Sequence, residues 1–192
     1  MRKIPAMSVP LIFCLLQAPA ALDAQNNRAR SEPVAVNLII DGSRSMRDAG
    51  GAAAAWIGGY LLDGLLQDGD YLRIWAAGEQ ASVLYDGTLT GDRKDAVKAL
   101  VRDLPLESAA ADFAGALRGS LSSPPQQGRL PLMTYTLLVS SPQGLSPAHL
   151  SGAAPYLRYS RVMEFPGWRA LVIAADIGGQ VREAAASFLS GL

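Results

Sequence analysis

Hydrophobic residues in this chain fall into short continuous runs that alternate with longer helical patterns. Three runs are rich in β-branched residues and are typical of strands buried on both faces of a parallel sheet. They are 34–40 (VAVNLII), 133–139 (MTYTLLV) and 169–175 (RALVIAA). Segments 71–77 and 81–85 flank a Gly78-Glu79 turn and predict an antiparallel hairpin. Residues 161–165 form one more strand candidate.

Helical spacing of apolar residues separates these strands. The predicted helices are 48–66, 92–104, 109–121, 146–157 and 178–192. The first has Asp48 as a candidate N-cap and is apolar nearly all round, so it is buried on most sides or packs against a partner. The alternation predicts an α/β fold: a doubly wound, mostly parallel sheet with one antiparallel edge strand and helices on both faces.

The amino terminus indicates an exported protein. Met1-Arg2-Lys3, an apolar stretch and Leu22-Asp23-Ala24 predict a signal peptide over 1–24, although an uncleaved anchor is left open. Residues 25–33 predict a flexible lead-in and 34–192 a single domain. We therefore expect a periplasmic or secreted protein with no stable membrane span after cleavage.

Composition excludes several classes of protein. Lys+Arg and Asp+Glu both number 17, which argues against a nucleic-acid partner. The single Cys, at position 14, falls in the predicted signal peptide, so neither a disulfide framework nor a cysteine zinc site is expected. No G-x-S-x-G nucleophile elbow is present, and a hydrolase using Ser43 and His149 is a distant alternative. The sequence thus predicts a protein that is not an enzyme.

The one motif with chemistry follows the first strand. Asp41-Gly42-Ser43-Arg44-Ser45 places one carboxylate and two hydroxyls two residues apart. Ligands of α/β sheets bind beyond the carboxyl ends of the strands, and we call the loops there the loop face. Because Mg²⁺ takes oxygen ligands, Asp41, Ser43 and Ser45 are candidate metal ligands.

Residues 36–46 (VNLIIDGSRSM) resemble the opening of a von Willebrand factor type A domain, in which an apolar strand leads into D-x-S-x-S. The similarity extends to about Leu192: 71–85 resembles the second and third strands, 112–117 a helix start and 136–141 the fourth strand. This resemblance implies a binding module whose metal-ion-dependent adhesion site is formed by five side chains.

The site departs from the family pattern. A family Thr and a second Asp correspond here to Ala111 and Ser140, so three of five ligands remain, with Ser140 as a possible addition. Arg44 replaces a common Gly, and its guanidinium either reaches Asp41 or lies in solvent. The other residues expected on the binding face are Gly42, Asp112, Ser141 and Asp176. A weak Mg²⁺ site and a site without metal are both left open.

These observations predict an exported binding module that contacts a protein through the loop face. The alternative is a structural or assembly protein that has lost the metal site and shares the apolar helix 52–66 with a partner. In that case Asp41 and both serines would cap the following helix and satisfy the backbone groups of the loop.

Overall fold

The computed structural model describes residues 32–122, 126–127, 130–131, 134–145 and 160–174. Six strands form one sheet: β1 (Ala35–Asp41), β2 (Tyr71–Ala77), β3 (Ala81–Thr88), β6 (Thr134–Ser140), β7 (Ser160–Phe165) and β8 (Trp168–Ala174). Their order across the sheet is β3-β2-β1-β6-β8-β7. The short strands β4 (Gln126–Gln127) and β5 (Leu130–Pro131) pair separately.

The sheet confirms the predicted fold class. Strand β1 lies between β2 and β6 and is parallel to both, while β3 is the expected antiparallel edge strand. One feature was not expected: β8 is antiparallel to both β6 and β7. Pro166 and Gly167 form a tight turn between paired Phe165 and Trp168, and Gly167 has a φ of +83°. A two-residue connection joins only antiparallel neighbours, so this turn reverses β8.

Helices cover both faces of the sheet. On one face lie α1 (Gly50–Trp56), which continues as a π-helix over Ile57–Leu65, and α2 (Gly91–Arg102). On the other face lies α3 (Phe113–Ser122). Alternate residues of β1 point to opposite sides, so Leu38 packs under α1 and Ile39 under α3. Strand β1 is therefore buried on both faces.

Two helix starts differ from the prediction. Asp48 does not cap α1, because the residue before that helix is Ala49 and no side chain caps it. Helix α3 begins at Phe113 and not at 109, because Asp112 accepts the backbone N–H of Gly115 at 2.8 Å and so provides the N-cap.

Several predictions lie outside the described residues. These are the signal peptide 1–24, most of the lead-in 25–33, and the helices 146–157 and 178–192. Within the described part of the chain, no helix has the length and apolar character needed to cross a membrane.

Candidate functional site

The ends of two neighbouring strands bring Asp41 and Ser140 together. Strands β1 and β6 are parallel and in register, so their last residues lie at the same edge of the sheet. The Ser140 hydroxyl donates a hydrogen bond to Asp41 Oδ2 at 2.5 Å. Asp41 is 1% exposed and Ser140 is fully buried. Ser140 therefore places a neutral donor, and not a second carboxylate, against Asp41.

The loop after β1 adds three more groups around this carboxylate. Asp41 Oδ1 accepts the backbone N–H of Ser43 at 2.7 Å, and Asp41 Oδ2 accepts the Ser45 hydroxyl at 3.4 Å. The Ser45 hydroxyl also lies 2.9 Å from that of Ser43 and 2.9 Å from that of Ser141. We call Asp41, Ser43, Ser45, Ser140 and Ser141 the Asp41 cluster.

The turn after β6 closes the Asp41 cluster. Ser141 Oγ accepts the Gly144 backbone N–H at 3.2 Å. A Cβ at residue 144 would overlap Ser140 Oγ and lie 3.0 Å from Asp41 Oδ2, so only glycine fits there without movement. Of the five members of the cluster, Ser45 alone is exposed. Within the described part of the chain, the cluster therefore meets solvent at Ser45.

Every hydroxyl proton in the Asp41 cluster has an acceptor within the cluster. Ser140 and Ser45 donate to Asp41, which leaves the Ser45 oxygen to accept from Ser43 and from Ser141. All five side chains offer oxygen, which is the ligand atom that a hard cation prefers. By charge the match is incomplete, because a single carboxylate balances one of the two positive charges. If Ser43 and Ser140 turned their oxygen lone pairs toward a cation, their hydroxyl protons would need other acceptors, and both side chains are buried.

A neighbouring segment fixes the loop from the outside. The backbone of Ser43 forms a parallel bridge with Ser108. Arg44 N–H donates to the Ser108 carbonyl at 3.0 Å, and Ser108 N–H donates to the Gly42 carbonyl at 3.2 Å. Sequence reasoning missed this pairing. No side-chain pattern signals it, because the pairing is made by backbone groups, which every residue carries.

Arg44 points away from Asp41. Its Nε donates to the Glu107 carbonyl at 2.9 Å, and the Nε of Arg47 donates to the Leu106 carbonyl at 3.0 Å. Both side chains are exposed. Arg44 thus follows neither sequence-based alternative, since it neither contacts Asp41 nor lies free in solvent.

The remaining predicted residues take backbone roles or lie elsewhere. Gly42 donates its N–H to the Ala77 carbonyl at 2.9 Å. Besides capping α3, Asp112 accepts the Ala81 N–H at 3.3 Å through its second oxygen. Ala111 packs against the apolar cluster under α3. Asp176 lies outside the described residues.

A separate polar group lies on strands β2 and β3. Arg73 pairs with Asp86 at 3.0 Å, and the Tyr71 hydroxyl donates to the same carboxylate. Burial raises the pKa of Tyr71 above 10.0, and the hydrogen bond to Asp86 raises it further. Among the described residues, no group of three or more His, Cys, Asp or Glu side chains is placed to hold a metal ion.

Comparisons with known proteins add little to this picture. No family model matches the chain, and a search of curated proteins found no significant match. Among solved structures, a von Willebrand factor type A protein from Catenulispora acidiphila matches with 22% identity and a TM-score of 0.40. The match covers 46% of this chain and 22% of that protein. The fold class stated above rests on the strand order and not on this match.

Proposed function

We propose that this protein is an exported, non-enzymatic binding module that contacts a partner protein through the loop face. The observation that carries the proposal is the closed Asp41 cluster, which ties the loop after β1 to the turn after β6. A loop held this way presents Arg44, Ser45 and Arg47 to solvent in one arrangement. A rigid exposed surface binds a partner with little loss of conformational entropy.

Within this proposal, the Asp41 cluster anchors the loop and needs no resident metal. Three donors satisfy the buried carboxylate: the Ser43 N–H and the hydroxyls of Ser45 and Ser140. Hydrogen bonds to a charged acceptor are about twice as strong as neutral ones, so this set offsets much of the desolvation of the carboxylate.

A divalent cation held by Asp41, Ser43 and Ser45 is the second candidate for this site. One observation favours it: the Ser45 oxygen lies 2.9 Å from two other hydroxyl oxygens. Adjacent ligands of an octahedral Mg²⁺ ion, each at about 2.1 Å, lie about 3.0 Å apart. A cation there would leave net positive charge, to which an acidic group of a partner would bind.

Site-specific photocrosslinking in the native host tests the proposed function. A photoreactive amino acid replaces Asp48 on the loop face or, as a matched control, Asp68 at the opposite edge of the sheet; both are exposed. We expect a protein adduct from position 48 in the presence and absence of EDTA, and none from position 68.

The other outcomes contradict the proposal in distinguishable ways. No adduct at position 48 would refute the loop face as the contact surface. Loss of the adduct with EDTA would favour the cation. A third probe at Gly59, an exposed position of the π-helix, reports on the assembly alternative, and an adduct only there would replace our proposal with that one.

A further inference from the structure

We propose that Arg44 and Arg47 form a fixed pair of guanidinium groups that binds carboxylates of an acidic segment in the partner protein. This inference rests on the proposed function and specifies the chemistry of the partner. Arg44 begins the short 3-10 turn Arg44–Met46 and Arg47 directly follows it, with the Arg47 N–H donating to the Arg44 carbonyl at 3.2 Å. Met46, between them, is buried and anchors the turn in the core.

The anchoring contacts leave a defined edge of each guanidinium free for a ligand. Arg44 and Arg47 use Nε to bind the carbonyls of two consecutive residues, Glu107 and Leu106. With Nε occupied, the two Nη groups are the donors that remain at the exposed end. The two Nη groups can donate parallel hydrogen bonds to the two oxygens of one carboxylate.

Neither guanidinium is neutralised within the described part of the chain. Several basic side chains there form ion pairs: Arg73 with Asp86, Lys98 with Asp63 at 2.8 Å, and Arg102 with Asp103 at 3.0 Å. Among the described residues, Arg44 and Arg47 instead contact carbonyl oxygens, as Lys94 does. Within the described residues, the two guanidinium groups therefore keep their positive charge for a ligand, next to the exposed carboxylates of Asp48 and Glu107.

Fixing the two arginines in advance strengthens binding. A free arginine loses rotamer entropy when it is immobilised. Here the carbonyl contacts already restrict both side chains, so less entropy is lost when a carboxylate binds. An acidic protein segment fits better than a nucleic acid, because the chain has no excess of basic residues to follow a phosphate backbone.

The test measures binding of a fluorescein-labelled octaglutamate peptide by fluorescence anisotropy at about 50 mM salt, where screening is modest. We expect the double variant Arg44→Gln/Arg47→Gln to weaken binding by about tenfold or more, and octaglutamine not to bind. Arg44→Lys keeps the charge but not the guanidinium fork, so we expect an intermediate loss. Arg118→Gln, at an exposed arginine of α3, is the matched control and should bind like the wild type.

Three results would overturn the inference. They are no binding by the wild type, an equal loss in Arg118→Gln, and tighter binding of an oligothymidylate than of octaglutamate. The crosslinking experiment separates this inference from the proposed function. An adduct at position 48 that survives Arg44→Gln/Arg47→Gln would contradict the arginine pair and leave the loop face intact, whereas no adduct in the wild type would contradict both.

Discussion

Replacing Ser140 by Asp would place a second carboxylate against that of Asp41. Ser140 Oγ lies 2.5 Å from Asp41 Oδ2, and both side chains are buried, so the new carboxylate would be held close to that of Asp41. The substitution removes a hydrogen-bond donor and adds a like charge. We expect it to destabilise the fold strongly in the absence of metal.

The expected magnitude follows from the separation of the charges. Two unit charges about 4 Å apart repel each other by about 4 kcal/mol at an effective dielectric constant of about 20. For a domain of this size each kcal/mol changes Tm by about 2–4 °C, so we expect a fall of about 8–16 °C. Thermal unfolding followed by circular dichroism, with EDTA present, measures this fall.

Two comparisons separate charge from shape and test for a gained metal site. Ser140→Asn has nearly the same shape as Ser140→Asp without its charge, so a much smaller fall in Tm is expected. Adding Mg²⁺ should restore much of the stability of Ser140→Asp, because a ligand at a hundred times its Kd contributes about 2.7 kcal/mol. A Tm for Ser140→Asp in EDTA within about 2 °C of the wild type would show that the two side chains are not in contact, and would refute our description of the cluster.

Three further predictions concern the frame around the site. Asp112→Ala removes the N-cap of α3 and should lower the free energy of unfolding, measured in urea, by about 0.5–2 kcal/mol. An unchanged midpoint would contradict the capping role. Asp70→Asn replaces a buried carboxylate that accepts two backbone N–H groups, and should lower the free energy of unfolding by about 1–3 kcal/mol in the same assay. An unchanged free energy of unfolding would contradict that role. Because the pKa of Tyr71 is raised in the folded protein, its neutral form contributes stability below pH 10. This contribution is lost as the pH rises through the pKa of Tyr71 in the folded protein. Absorbance titration should show one tyrosine ionising late that Tyr71→Phe lacks, and identical titrations would contradict this.

The positions of Asp41 and Ser140 could be predicted from the sequence because each follows a continuous apolar run. Such runs form buried neighbouring strands, and parallel strands end at the same edge of the sheet. The adjacency of the two residues follows from that geometry. The direction of β8 was missed, although the Pro166-Gly167 turn signals a hairpin once 160–165 and 168–174 are considered together.

Contacts between distant loops left no comparable signal in the sequence. The bridge between Ser43 and Ser108 is made by backbone groups, which every residue carries, so no side-chain pattern marks it. The carbonyl contact of Arg44 depends on that bridge and was missed for the same reason. Gly144 is required only because the turn lies on Ser140, which no local pattern shows.

The thermal stability of the wild-type protein with and without Mg²⁺ or Mn²⁺ tests the central claim most directly. If the Asp41 cluster is complete without a cation, millimolar metal should leave Tm within about 1 °C of its value in EDTA, and Asp41→Asn should respond in the same way. A saturable rise of about 5 °C or more in the wild type, abolished by Asp41→Asn, would contradict the claim and identify a resident cation at this site.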